Sequence, residues 1–188
     1  MTLLQVMADG DAAQVRLRTD DPDLIAAELA TRGIVFDRWP VVPHPDGHRP
    51  VLADYADRVD ALNSDGRYRH IDVAALRPDD DDPGWPERAA AARSTFLAEH
   101  RHAEDEVRFF AEGRGCFYLH LEPEVFAVVC EGGDLLSVPA GTRHWFDMGS
   151  RPDFVAIRFF EQPDGWIGDF TGDAIGQRFP TLDELVAA

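Results

Sequence analysis

The sequence predicts a mainly β chain with added helices, an α+β fold. Three observations predict it. From His100 onward apolar residues recur with period two and glycine punctuation, the pattern of strands and tight turns. The preceding half carries apolar residues at helical spacing. The chain closes on Thr181-Leu182-Asp183-Glu184, a helix-opening capping box. The expected unit is one domain over 1–188, with helices and a hairpin over 1–95 packed outside a β core and tail over 96–188.

In chain order, Leu3–Val6 and Val15–Leu17 suit a small hairpin turning at Ala8-Asp9-Gly10-Asp11. Asp20-Asp21-Pro22 opens a helix carrying Leu24, Ile25 and Leu29 and ending near Gly33, because acid-plus-Pro starts helices and Gly stops them. A second helix is expected from Val51 to Asn63, with Leu52, Tyr55, Val59 and Leu62 on one stripe. A third begins near Pro86 and stops before His100. Val107–Ala111, Cys116–Leu121, Val125–Cys130, Leu135–Val138, His144–Asp147 and Val155–Phe160 then follow as short strands, which suggests a closed or double-sheeted β architecture. Thr181 caps a brief final helix, with Glu184 as its reciprocal partner.

At 188 residues the chain is long enough for one full core. A formal net charge of -17 opposes a phosphate-backbone partner, so no nucleic acid is expected. All 18 basic residues are Arg, which excludes Schiff-base and P-loop lysines. No apolar run approaches the roughly 18 residues of a membrane span. The opening MTLLQVMADGDAA lacks the basic region of a secretory signal, so a cytoplasmic location is expected, and the chain is separately expected to be a monomer. Asp79–Asp82 lacks the alternating ligands and central Gly of a calcium loop and is expected to be a solvated loop. Cys116 and Cys130 lack ligand spacing and are expected to be reduced structural thiols. Their symmetry about Pro123 predicts that they face each other across a hairpin.

The chemistry-bearing residues lie between Glu99 and Asp147. His100 and His102 are two apart, Glu106 follows, and His144 arrives behind Pro139 and Gly141. Strand side chains alternate faces, so His100 and His102 share one; Glu106, Arg108 and Phe110 share another; His144 and Phe146 point inward and Trp145 outward. Three imidazoles and a carboxylate suit a borderline divalent metal such as iron, nickel, manganese or zinc. A lone strand histidine or an acidic run is more often a satisfied or solvated group; the joint pattern favours a site. His44 and His48 sit among Pro43, Pro45 and Gly47 and suit an ordinary loop, while His70 and His120 have no ligand partner nearby in sequence. Arg108 shares the Glu106 face, where its permanent charge could neutralise an anionic substrate. The blander alternative is a salt bridge that holds Glu106.

These residues resemble the two motifs of the cupin superfamily. In G-x5-H-x-H-x3-E-x6-G, His100, His102, Glu106 and Gly113 match, with Ser94 in place of the leading Gly. In G-x5-P-x-G-x2-H-x3-N, Gly133, Pro139, Gly141 and His144 match, with Met148 in place of Asn. The resemblance implies a double-stranded β-helix barrel with a metal at its mouth, a fold that hosts many activities. EDEVRFFAEGRGCFYLHL, GDLLSVPAGTRHWFDMG and the tail GWIGDFTGDAIGQRFP are further similar to the acireductone dioxygenases of methionine salvage.

That likeness implies one Fe2+ or Ni2+ per chain. It also implies 1,2-dihydroxy-3-keto-5-methylthiopentene and dioxygen as substrates. The products would be formate and 4-methylthio-2-oxobutanoate with iron, or 3-methylthiopropanoate, formate and carbon monoxide with nickel. Arg108 matches the residue that helps form the substrate dianion. Glu99 and Asp105 match residues tied to metal incorporation and conformational coupling, and Phe96, Phe146 and Trp166 match pocket residues. A non-enzymatic metal-dependent sensor would need an effector domain or an incomplete ligand set. A dioxygenase of catechol-like or flavonol substrates is disfavoured by the tail and Arg108.

Overall fold

In a computed structural model that describes residues 1–43 and 50–188, the first hairpin forms as the sequence predicts, from β1 (Leu3–Ala8) and β2 (Asp11–Thr19). Helix α1 (Pro22–Ala30) starts where the Asp21 carboxylate accepts hydrogen bonds from the backbone N–H of Asp23 and Leu24, and it buries Ile25 and Leu29. Strand β3 (Val35–Arg38) was not anticipated. The single helix expected over Val51–Asn63 is two, α2 (Val51–Asp54) and α3 (Ala56–Leu62). The break falls at Tyr55, at φ -109 and ψ 13, where the buried phenol accepts a hydrogen bond from the Val42 N–H. Strand β4 (His70–Leu76) was also unforeseen, and α4 (Trp85–Phe96) is the third expected helix. His44 and His48 lie outside the described residues.

After α4 come β5 (His100–Arg101), β6 (Glu106–Leu121), β7 (Glu124–Glu131), β8 (Asp134–Val138), β9 (Arg143–Asp147), β10 (Phe154–Phe160) and the short β11 (Asp169–Phe170). A single 3-10 turn over Ile175–Arg178 precedes the final helix α5 (Leu182–Ala187). The Thr181–Glu184 capping box is present as the sequence predicts.

Two expected strands, Val107–Ala111 and Cys116–Leu121, are one. Gly113, at φ 68, bends β6 without ending it, and a Cβ there would stand 1.9 Å from the Asp153 carbonyl oxygen. On either side of the bend β6 belongs to different layers. Its first half pairs with β8 and β10, and its second half with β7 and β9. One layer therefore runs β11-β5-β9-β6-β7-β1-β2, and the other is β6 flanked by β8–β3 and β10–β4.

Apolar side chains from both layers meet in one core that includes Leu119, Phe126 and Val128 from the first, and Phe110, Leu136 and Ala156 from the second. Each outer face is covered as well. Ile175, Phe179, Leu182 and Leu185 of the tail close over Cys116, Tyr118 and Trp145, while Tyr55 and Val59 of the helical segment close over Phe109, Ile157 and Phe159. Trp145 does face away from the inner core but is buried, stacked on Tyr118 at 5.0 Å. Double-sided burial explains why β7 and β10 read as nearly continuous apolar runs rather than with a strict period of two.

The cysteine expectation needs correction. The β6–β7 loop is Glu122-Pro123, so Leu121 pairs with Glu124 and Cys116 with Val129, not with Cys130. The centre of the hairpin lies between residues 122 and 123, half a residue from the assumed centre. The cysteines are then one register position apart and point to opposite faces, Cys116 into the outer layer and Cys130 into the inner core. Both are buried free thiols, with burial raising each pKa.

One buried carboxylate ties the helices to this frame. Asp147, at the end of β9, accepts from Arg93 of α4 through both oxygens, at 2.7 and 3.0 Å. It also accepts from the backbone N–H of Gly149 and of Leu182, the first residue of α5.

Candidate metal centre and substrate pocket

His100 and His144 face each other across β5 and β9 as a register pair. His102 follows β5, and Glu106 opens β6 beside Val138 of β8. All four are buried, and one ligand atom from each lies within 4.8 Å of the others. Each imidazole is oriented by a backbone carbonyl that accepts from its Nδ1: Ala98 for His100 at 2.8 Å, Ile167 for His102 at 3.0 Å, and Thr142 for His144 at 2.8 Å. Gly168, next in the chain, packs against the His100 ring, from which a Cβ there would stand 3.0 Å.

With Nδ1 donating, a neutral imidazole presents its Nε2 lone pair to the cavity. Glu106 Oε2 lies 2.8 Å from His102 Nε2 and 3.0 Å from His144 Nε2. At such distances a proton or a metal ion lies between nitrogen and oxygen, and three converging imidazoles with one carboxylate are a donor set that fits one divalent transition metal.

The electrostatics differ from ligand to ligand. Burial, with help from the neighbouring His144, pushes His100 down to about 4, so it stays neutral and able to ligate. Burial would raise Glu106, but the Arg108 charge and the hydrogen bonds to His102 and His144 hold it well below the usual carboxylate range. Burial pulls His102 down, yet its contact with Glu106 prevails and raises it.

Arg108 lies two residues along β6 from Glu106. Its Nη2 is 2.8 Å from Glu106 Oε1, and its guanidinium sits 5.0 Å from the centroid of Phe160. Burial lowers its pKa, with Glu106 opposing. The salt bridge and the cavity position are thus both present, not alternatives. The cavity, about 100 Å³, is lined by the four ligand candidates, Arg108, Phe96, Phe146 and Trp166. Phe96 and Trp166 are 37% and 53% exposed, which places them on the rim.

Glu99 and Asp105 stand outside the cavity. The buried Glu99 carboxylate accepts from His120 Nδ1 at 2.5 Å and from the Thr171 hydroxyl at 2.6 Å, bracing the residue next to His100. Asp105 accepts from the Ala140 N–H and from Arg67, both at 2.9 Å, joining the ligand loop to the β8–β9 turn. His120 is a buried partner of Glu99, while His70 is exposed at the start of β4.

Phe110 lines the cavity with Glu106 and Arg108, the face that strand alternation assigns it, and the further walls are ones the sequence does not assign: Phe117 of β6, Phe154, Ala156 and Arg158 of β10, Ala74 of β4, and Met148. The β10 residues carried a period-two signal, but nothing local says which of its buried faces meets a cavity.

Against known proteins, a family model described as "ARD/ARD' family" matches residues 69–168. Acireductone dioxygenase 2 of Nocardia farcinica is 70% identical, with the whole of both chains covered. The chain belongs to the acireductone dioxygenase family. An acireductone dioxygenase of Saccharopolyspora erythraea is 50% identical over the full length of both chains. A solved acireductone dioxygenase from Bacillus anthracis, with a cadmium ion in its active center, superposes at a TM-score of 0.74 and 25% identity, covering 90% of this chain and 98% of that one. The family fold accounts for the double-sheeted architecture. A metal in the active center of that family member agrees with the donor set found here.

Proposed function

We propose that this protein is a metal-dependent dioxygenase that cleaves 1,2-dihydroxy-3-keto-5-methylthiopentene with dioxygen in methionine salvage. The observation that carries the reading is the convergence of three carbonyl-oriented imidazoles and one carboxylate beside the buried Arg108. His100, His102, Glu106 and His144 would hold iron or nickel. The ion would supply Lewis acidity toward the oxygen-rich end of the substrate.

The chain's own groups do the rest. Arg108, fixed by Glu106 and Phe160, places a permanent positive charge in the cavity, favouring the doubly deprotonated substrate. Phe96, Phe146 and Trp166 shield that charge from water, which strengthens it. Glu99 and Asp105 act indirectly, Glu99 by bracing His100 through His120 and Thr171, and Asp105 by tying the His102–Glu106 loop to the turn that delivers His144.

The products are formate and 4-methylthio-2-oxobutanoate with iron, or 3-methylthiopropanoate, formate and carbon monoxide with nickel. Residues 1–188 act as one domain, a monomer of the cytoplasm. Among the described residues no helix is long and apolar enough to cross a membrane, and the net charge of -17 disfavours nucleic acid. The test is to strip the protein, reload it separately with iron and nickel, generate the substrate anaerobically, admit oxygen and identify products alongside metal content. Carbon monoxide from the nickel form alone is expected. Failure of both forms to consume the substrate would overturn the reading.

A further inference from the structure

We propose that Ala74 and Ala156, paired across β4 and β10, set the length of the apolar chain that the pocket accepts. This rests on the acireductone reading above and concerns the end of the substrate remote from the metal.

The register of the second layer orders the cavity wall into rows. Arg158 pairs with Asp72 on one side and Arg108 on the other. One row further, Ala156 pairs with Ala74 and Phe110. Beyond that, Phe154 pairs with Leu76 and Gly113. In-register antiparallel partners carry their side chains on the same face, so each row presents one band of surface. The first band is charged, the second carries only methyl groups on β4 and β10 beside Phe110 of β6, and the third is bulky at Phe154 and Leu76.

Ala74 and Ala156 are the smallest side chains among the described lining residues, so the wall steps back where they sit. Phe154 bounds the recess on one side. The Arg158–Asp72 pair bounds it on the other and is doubly hydrogen-bonded at 2.7 and 2.6 Å, which fixes the arginine's place. An acireductone has the same polarity profile: an oxygen-bearing head and, in the thioether substrate, a methylthioethyl tail. Head against the charged band and ligand cluster puts the tail over the alanines. A methyl-sized floor is what leaves room for it in a cavity of about 100 Å³.

The test compares iron-loaded wild type with Ala156→Val and Ala74→Val on two substrates. These are the thioether acireductone and its homologue cut back to a methyl ketone, 1,2-dihydroxybut-1-en-3-one. A methylene's worth of misfit in an apolar pocket changes kcat/KM by roughly 10–200-fold. Each variant is therefore expected to lower the thioether-to-methyl ratio of kcat/KM at least about tenfold, mainly through KM, with metal content unchanged. Ala74 is only half-buried on a strand that, among the described residues, pairs only with β10, so its variant keeps the test alive should Ala156→Val not fold. A ratio within about twofold of wild type in a folded Ala74→Val or Ala156→Val protein would overturn the proposal. Wild type inactive on both substrates would instead overturn the functional reading on which it rests.

Discussion

Arg108 Nη2 lies 2.8 Å from Glu106 Oε1, the carboxylate oxygen left over once His102 and His144 have both turned to Oε2. The glutamate thus divides its two oxygens between the metal side and the guanidinium. Arg108→Ala should keep the metal, since Oε2 and the three imidazoles are untouched. Turnover should fall roughly 10²-fold, the scale for losing one preorganised electrostatic group. Arg108→Lys should rescue little, because Lys lacks the planar fork that spans Glu106 and the cavity. Near wild-type rates in both variants, measured with metal content, would reduce Arg108 to a strut for Glu106.

Metal retention is the direct check on the four-residue cluster. His102→Ala and His144→Ala should each lose stoichiometric metal by elemental analysis, whereas His70→Ala, exposed at the start of β4, should not. Full retention in both cluster variants would refute the site.

Acidity should act on the metal-free protein through His100, which the fold holds down to about 4 from an ordinary 6.5. Above pH 6.5 the imidazole is neutral in both folded and unfolded chains and contributes nothing. Between 6.5 and 4 the unfolded chain binds a proton that the folded chain refuses, so stability falls as pH falls through this window. The effect is up to about 3 kcal/mol at about 1.36 kcal/mol per unit. Glu106, held low in the fold, adds loss in the same direction at more acid pH. Melting temperatures of metal-free wild type and His100→Gln across pH 4–7 check this: the variant's profile should be flatter, and parallel profiles would reject it.

A fourth expectation concerns Asp147, a carboxylate with four hydrogen bonds and no exposure. Arg93→Ala leaves that charge buried without its counterion, at a cost of about 3 kcal/mol. Thermal unfolding should drop by several degrees while metal stoichiometry is kept. An unchanged melting temperature would show that the backbone donors of Gly149 and Leu182 suffice.

The ligand cluster was legible because its geometry is local: two histidines at strand spacing, a glutamate on the next strand, and a Pro-x-Gly turn ahead of the last histidine. Pocket walls were less so. Strands β3 and β4 take their identity from partners far along the chain, Val35 with Ser137 and Ala74 with Ala156; β3 is four residues without alternation, and the alternation of His70-Ile71-Asp72-Val73 in β4 is cut short by Ala74-Ala75. Gly113 and Gly115 looked like a strand break, whereas β6 runs through them and changes layers. The cysteine register failed on half a residue of turn length, which in a strand is the difference between two faces. Tyr55 interrupted an expected helix because its phenol is engaged by Val42, a tertiary contact that helical spacing cannot announce.

Strand β6 carries Glu106 and Arg108 at one end, Phe110 in the middle and Phe117 beyond its bend, all lining one cavity. Head and tail subsites are therefore mounted on a common rail that is hydrogen-bonded on both edges along its length. Such a pocket cannot be retuned by sliding one layer over the other without disturbing the metal. Changes of substrate in this lineage would instead have to enter through β4, which among the described residues pairs only with β10, so a larger residue there disturbs no ligand-bearing strand. A search for divergent specificities among relatives should begin with the position of Ala74, and a directed library aimed at bulkier or shorter acireductones should be built there first.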